Sequence, residues 1–191
     1  MESISSVFGL ALFSLLVACA PPASEVPEPE VTKAPEAKLG SDTDESVPLV
    51  DLLNAKQPMP GLLSGGQPTT EQLAAAAQAG YRTVITLRGE GELADRDEER
   101  EVEELGMVFQ ALPISGKEAL NEANARSLGN LLNDPQAQPI LLHCGSGNRV
   151  GGLLALKAHF VDGLPPEEAL AFGMSSGLTS LEETVRERLG L

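Results

Sequence analysis

The feature that most constrains the fold is an alternation of short apolar runs with helix-forming stretches, punctuated by glycine. "GLLSG", "RTVITL", "MVFQALPI" and "PILLH" (Pro139–His143) are too short for helices and rich in Leu, Ile and Val, so each reads as a strand. Between them lie "QPTTEQLAAAAQAG", "DEEREVEELG" and "EALNEANARSLGNLLND". The first of these helices has Thr69 or Thr70 as its cap, Glu71 in its first turn and Gly80 as its stop; the second ends at Gly106. A further helix is expected from about Arg149 to Phe160, and "PPEEALAFG" and "SLEETVRERLG" add two more. Strands alternating with helices predict an α/β domain, a central, mostly parallel sheet of about four to five strands with helices on both faces. In such sheets ligands bind beyond the carboxyl ends of the strands.

The first residues follow another pattern. "VFGLALFSLLVAC" is apolar from Val7 to Val17 and ends in a small residue and Cys19. That length suits a signal-peptide core and falls short of the ~20 residues that span a bilayer. "LVAC" (Leu16–Cys19) resembles the bacterial lipoprotein processing box, which implies cleavage before Cys19 and its acylation. Each buried CH₂ of an acyl chain contributes ~0.8 kcal/mol of anchoring. Ala20 stands where an Asp would resemble an inner-membrane retention signal. The expected location is therefore the bacterial cell envelope, lipid-anchored at the outer membrane and facing the periplasm. From Ala20 to about Pro58 the chain is rich in Pro, Glu, Ala and Ser, too poor in apolar residues to offset the entropy of folding. The expected organisation is a signal peptide over residues 1–18, a tether over 19–58 and a folded domain over 59–191. "VPLVDLLNAK", near the end of the tether, is a candidate to dock on the domain.

A formal net charge of -15 argues against a nucleic-acid partner, because phosphate-backbone binding needs a basic face. The acidic stretch "EGELADRDEEREVEE" (Glu90–Glu104) reads as a solvated helix face with its leading loop, in preference to a metal site or a surface for a basic partner. With Cys19 acylated, Cys144 has no partner within the chain. An unpaired cysteine in an oxidising compartment is a candidate reactive thiol, with a buried structural cysteine as the alternative.

Cys144 sits in "LLHCGSGNRVGG" (Leu141–Gly152), between an apolar strand and a glycine-rich helix start. Gly145 and Gly147 permit a tight turn in which backbone N–H groups point inward, and the helix N-terminus adds partial positive charge. Arg149 offers a planar fork to an oxyanion. The same field favours the thiolate over the thiol. His143 either orients the loop by hydrogen bonding or simply ends the strand. His159 reads as structural, and the two histidines and one thiol have no metal-ligand spacing, so neither metal nor cofactor is expected. Tyr81 reads as a packing residue. Arg88, at another strand end, either assists anion binding or pairs with the neighbouring acids.

"HCGSGNR" resembles the signature of cysteine-based protein tyrosine and dual-specificity phosphatases. "PGLLSGGQPTTEQLAAAAQAGYRTVITLRGEGE" is similar to the opening of a bacterial branch related to the phosphatase-like domain of β-lactamase-hydrolase-like proteins. The resemblance covers about Met59 to Phe160. It implies a phosphatase-type α/β core, Cys144 as nucleophile, and a phosphate cradle made by the backbone of Gly145, Ser146, Gly147 and Asn148 with Arg149. It also implies a general-acid Asp on the loop after "ALPI", but that loop reads "SGKEALNE". Glu118 is its nearest carboxylate, with Asp95 or Asp97 on the earlier loop as alternatives, and Lys117 either faces an anionic substrate or is a surface lysine. Val150 stands where those phosphatases place Ser or Thr. Only four residues separate Cys144 from Arg149, one fewer than in the phosphatase signature. That spacing resembles the loop of rhodanese-type sulfurtransferases, whose cysteine carries a sulfane sulfur.

Three readings follow from these residues. The first is a phosphatase acting on a phosphomonoester through a Cys144 phosphoenzyme, and the second a sulfurtransferase working through a Cys144 persulfide. The third is a non-catalytic oxyanion-binding module. Each expects a small anionic substrate or phosphorylated group as partner, with the membrane reached through Cys19.

Overall fold

Four parallel strands and one antiparallel edge strand form a single sheet in the computed structural model, which describes residues 49–93 and 95–191. Cys19, the signal segment and the tether up to residue 48 lie outside the described residues. In chain order the elements are β1 (Lys56–Met59), β2 (Leu62–Gly65), α1 (Thr70–Gln78), β3 (Thr83–Thr86), α2 (Glu98–Glu104), β4 (Val108–Ala111), α3 (Glu122–Leu132), β5 (Ile140–His143), α4 (Asn148–Phe160), α5 (Pro166–Ser175) and α6 (Glu182–Leu189). The strand order is β1-β2-β5-β3-β4, with β1 antiparallel to β2.

β1 lies where the sequence places only tether. Its residues, KQPM, lack an apolar run, and the strand survives as a sheet edge, where Pro58 removes no central ladder bond. Residues 49–58 therefore belong to the folded unit: Val50 and Leu52 are buried, and the Gly66 N–H donates to the Leu53 carbonyl at 2.7 Å. The helix expected from Glu118 begins instead at Glu122. Asn121 caps it by accepting from the Asn124 N–H at 3.0 Å, and a 3₁₀ turn fills Lys117–Ala119.

Side chains alternate across the sheet, and two cores result. Leu62, Ile85, Ile140 and Leu142 face the layer of α3 to α6, whereas Leu63, Val84 and Leu141 face α1 and α2. Both crossovers β2-α1-β3 and β3-α2-β4 run in one direction along the sheet and put their helices on one face. The return from β4 to β5 runs the other way, so α3 covers the opposite face, as right-handed crossovers require. β5 thus sends its following helix to the face opposite the helices that follow its neighbours β2 and β3. The carboxyl end of β5 is the switch point at which α/β sheets open a crevice for ligands.

Helices α4 and α5 are pressed together by glycines. A Cβ on Gly151 would lie 2.1 Å from the Leu178 nitrogen, and one on Gly173 would lie 2.6 Å from Ala155 Cβ. Hence the helix that begins at the cradle is buried along most of its length, from Val150 to Ala158.

Candidate active site

Cys144 follows the last residue of β5, and alternation along the chain decides where it and His143 point. His143 projects toward the α1/α2 face and Cys144 toward α4. The thiol is 1 % exposed and accepts a hydrogen bond from the Gly147 N–H, with nitrogen to sulfur at 3.1 Å. Gly147 is the N-cap of α4 and has φ 89, a left-handed conformation that favours glycine over residues with a side chain. The cap makes no side-chain hydrogen bond, and the first-turn N–H groups of Asn148 and Arg149 have no intrahelical acceptor. Helix α4 thus presents uncapped donors and its positive dipole end beside a sulfur.

The end of β2 braces the loop. The Cys144 N–H donates to Gly65 at 3.3 Å, and the Gly145 carbonyl accepts from the Gln67 N–H at 3.3 Å. Asn148 braces it from the side: its Nδ2 donates to Ser180 Oγ at 2.7 Å, and its Oδ1 accepts from the Thr179 N–H at 2.8 Å. Ser146 is exposed, and its carbonyl accepts from Asn54 Nδ2 at 3.0 Å. The structure therefore brings Gly145 to Arg149 into one turn around Cys144. Within it, the side chain of Asn148 ties the loop to the connection between α5 and α6.

Arg149 is held at its far end by a residue that sequence reasoning missed. Its Nη1 donates to Glu92 Oε1 at 2.8 Å and its Nη2 to Glu92 Oε2 at 2.6 Å, a bidentate pair. Nη1 also donates to the carbonyls of Leu87 at 3.2 Å and Ile114 at 3.0 Å. The Gly89 N–H donates to Glu92 Oε1 at 2.8 Å, and Arg88 Nε lies 3.7 Å from Oε2. Hydrogen bonding to Arg149 holds the Glu92 carboxyl down at about 2, from an ordinary 4.5. Taken alone, that drop is worth roughly 3 kcal/mol. With Glu92 33 % and Arg149 20 % exposed, solvent screening leaves about 1–2 kcal/mol.

His143 has a different neighbour from the loop. Its ring is fully buried, with Nε2 3.2 Å from Glu98 Oε1. The approach lacks hydrogen-bond alignment, and neither ring nitrogen has a hydrogen-bond partner among the described residues. The expectation that His143 orients the loop by hydrogen bonding is thus replaced by a contact with α2. Glu98, itself buried, accepts from Gln67 Nε2 at 2.6 Å, and Gln67 Oε1 accepts from Arg88 Nη1 at 3.0 Å. Behind the cradle therefore runs a polar chain of Arg88, Gln67, Glu98 and His143. The acidic stretch read as solvated surface contributes Glu92 and Glu98 to this region.

None of the three carboxylates nominated as general acid makes a hydrogen bond or ion pair with Cys144 or Arg149. Glu118 is 93 % exposed at its side chain and pairs with Arg188 at 2.9 Å. Asp97 is the N-cap of α2, accepting from the Arg100 N–H at 3.1 Å, and Asp95 is exposed. Asp97 does line a groove of about 330 Å³ at the carboxyl ends of β3 and β4, together with Thr86, Arg88, Leu93, Glu98 and Phe109. Lys117 is exposed; Tyr81 is buried in the α1/α2 core, and His159 packs on Phe160 while its Nδ1 meets the Leu164 carbonyl at 2.8 Å. Among the described residues no group of three or more His, Cys, Asp or Glu is arranged to hold a metal ion.

A cysteine just past the central strand, inside a turn of peptide N–H groups and with an arginine in the first turn of the following helix, is the arrangement on which the family comparison bears. The family described as "DSP-PTPase phosphatase fused to NAD+ Kinase" matches residues 49–175, about two thirds of the chain. The chain belongs to this phosphatase family. The match includes β1, Glu92 and the whole cradle. The chain is also 29 % identical over 121 residues to a "Beta-lactamase hydrolase-like protein" of Xylella fastidiosa, an alignment covering 61 % of this chain and 27 % of that protein. It thus spans about a quarter of the length of that relative. Among solved structures it is similar to P. aeruginosa TpbA in complex with pTyr, with a TM-score of 0.56 and 17 % identity, covering 72 % of this chain and 83 % of that one. It is similar too to the core catalytic domain of a PP-IP phosphatase from S. cerevisiae in complex with citrate, with a TM-score of 0.53 and 16 % identity, covering 73 % and 87 %. These likenesses show the phosphatase fold.

Proposed function

We propose that this member of the phosphatase family hydrolyses a phosphomonoester through a phosphoenzyme on Cys144. The observation that carries the reading is the sulfur itself, at the carboxyl end of the central strand, accepting the Gly147 N–H at the uncapped start of α4 with Arg149 beside it. In the first step the Cys144 thiolate attacks phosphorus, an S–P bond forms, and the P–O bond to the leaving group breaks. The first-turn N–H groups and Arg149 meet the charge that gathers on the non-bridging oxygens. In the second step water attacks phosphorus, the S–P bond breaks, inorganic phosphate leaves with the water's oxygen, and the thiolate is restored.

The leaving oxygen takes its proton from solvent. Glu118 pairs with Arg188, Asp97 caps α2, Asp95 is exposed to solvent, and Glu92 is ionised against Arg149. Missing acid assistance costs about 10²–10⁴-fold with a poor leaving group, so the substrates favoured are those whose leaving group is stable as an anion, such as an aryl phosphate. The pTyr bound by TpbA fits that description. The location proposed from the sequence is the outer membrane, facing the periplasm, with Cys19 acylated. Palmitate-analogue labelling of cells should mark the chain and not its Cys19→Ser variant.

One observation favours a second reading. The interval of four residues between Cys144 and Arg149 matches a sulfurtransferase loop, and persulfide chemistry needs no protonated leaving group. The deciding experiment offers the full chain p-nitrophenyl phosphate and, separately, thiosulfate with cyanide, with Cys144→Ser alongside. Phosphate release that depends on Cys144 supports the phosphatase. Thiocyanate alone transfers the assignment to sulfur chemistry, and silence in both leaves an oxyanion-binding module.

A further inference from the structure

We propose that Asn54 is a positioning residue for the cradle, its amide holding from outside the peptide group whose N–H faces the Cys144 sulfur. The inference rests on the cradle assignment above and goes beyond it, because Asn54 lies 92 positions before Ser146, in a segment that the sequence assigns to the tether.

The peptide bond between Ser146 and Gly147 is planar, so its C=O and N–H point to opposite sides. The Gly147 N–H points inward and donates to Cys144 Sγ at 3.1 Å. The Ser146 carbonyl accordingly points outward, where Asn54 Nδ2 donates to it at 3.0 Å. Half a turn of this plane would exchange the two, setting a carbonyl oxygen against the sulfur and against any anion above it. Gly147, with φ 89, offers little steric resistance to such a turn. The carbonyls on either side are held by main-chain donors: Gly145 by the Gln67 N–H at 3.3 Å, and Gly147 by the Gly151 N–H at 2.9 Å. At Ser146, between them, a side chain from a distant segment supplies the donor. A donor at the outer end also polarises the peptide, which strengthens the N–H at its inner end.

Asn54 is itself fixed before it reaches the loop. Among the described residues it is the one non-glycine with positive φ, at 55, a conformation that asparagine tolerates better than most side chains. The Ala55 N–H donates to the Leu52 carbonyl at 3.1 Å and closes the turn in which Asn54 sits. That turn is fastened on both sides. Leu52 is buried, the Gly66 N–H donates to the Leu53 carbonyl at 2.7 Å, and Gln72 Nε2 donates to the Asp51 carbonyl. The bond to Ser146 is exposed to solvent and adds little to stability alone. Its leverage is orientation, because a donor aimed at an anion acts only if it is already in place.

The test uses the full chain as wild type, Asn54→Gly and Asn54→Ala. Glycine keeps the left-handed backbone and removes only the amide, whereas alanine removes the amide and adds backbone strain. Inorganic phosphate affinity is read by calorimetry, and folding by thermal melt. The rates at which iodoacetate and iodoacetamide alkylate Cys144 are compared as a ratio. Both reagents consume the same thiolate, so the ratio cancels its amount and leaves the pull of the cradle on a carboxylate. Both variants are expected to bind phosphate about three- to five-fold more weakly and to lower the ratio by a similar factor. Tm is expected to fall clearly in Asn54→Ala alone. Phosphate affinity and ratio unchanged in Asn54→Gly would overturn the proposal, since Asn54 would then serve only the backbone turn. An Asn54→Gly protein that melts as early as Asn54→Ala would overturn it as well, because the amide would then hold the segment and not the peptide. Wild type that binds no phosphate and shows no preference for iodoacetate would remove both the proposal and the cradle assignment beneath it. If affinity and ratio follow the expected pattern while wild type leaves p-nitrophenyl phosphate intact, the positioning role stands and the phosphatase reading fails.

Discussion

Replacing Gly151 with Ala should show how closely the cradle depends on the contact between α4 and α5. In an exposed helix the change would stabilise by ~1 kcal/mol, because glycine loses more backbone entropy on folding. Here the new Cβ would lie 2.1 Å from the Leu178 nitrogen, 2.7 Å from the Gly177 carbonyl carbon and 2.8 Å from the Gly173 oxygen. All three neighbours are backbone, so no side chain can rotate away. The same atoms carry the Leu178 N–H to Gly173 hydrogen bond at 2.9 Å, which the methyl group would split. Relief requires the backbones to separate by about 1 Å, and overpacking of this kind costs ~1–3 kcal/mol or more. With all three neighbours backbone, the clash stands at the upper end of that range and outweighs the helix gain, so the net loss is about 2 kcal/mol. For a domain of this size it lowers Tm by roughly 5–10 °C. Because Asn148 grips Thr179 and Ser180 in the displaced segment, phosphate affinity should fall along with stability. Thermal and urea unfolding by circular dichroism measures the first effect, and calorimetry the second. A Gly151→Ala protein as stable as wild type would refute the packing argument.

Three further outcomes follow from the same geometry. Asn148→Ala removes two hydrogen bonds from the loop's brace and should cost about 1–2 kcal/mol in urea unfolding while weakening phosphate binding. Glu118→Ala should leave kcat/KM and Tm close to wild type, since its side chain is 93 % exposed and bonded away from the thiol; a large fall in kcat would restore it as general acid. The Glu92 carboxyl is depressed in the folded state, so its contribution is complete above the ordinary 4.5 and lost as the pH falls through about 2. The stability gap between wild type and Glu92→Gln, about 1–2 kcal/mol at neutral pH, should therefore close across that acid window in pH-dependent melts.

The sheet was legible because its parallel strands are short segments rich in Leu, Ile and Val, fully buried in β2, β3 and β5, and glycines mark several of the helix ends. Cys144, the glycine turn and Arg149 were legible because they are contiguous. What the sequence hid is what folding brings together from afar. Glu92 stands 57 positions from Arg149 and sits in a run of acids whose ordinary fate is a solvated face. Glu98, in the same run, is buried only because His143 and Gln67 converge on it. A pattern of charge gives no sign of which carboxylate turns inward, although Glu92 follows directly on the strand–glycine segment "TLRGEG", and position at a strand's carboxyl end was the available signal. β1 escaped notice for the opposite reason: KQPM has neither alternation nor an apolar run, and its strand character comes from pairing with β2 alone. The general acid was sought on two loops; Glu118 pairs with Arg188, Asp97 caps α2 and Asp95 is exposed to solvent.

The most direct test of the account is to trap the intermediate. The full chain would be mixed with p-nitrophenyl phosphate, quenched in acid during turnover and digested, and the peptide carrying Cys144 weighed. The account predicts the added mass of one phosphoryl group on that peptide, absent in Cys144→Ser and absent when substrate is withheld. Turnover with no phosphoryl group on Cys144, or turnover that persists in Cys144→Ser, would contradict it.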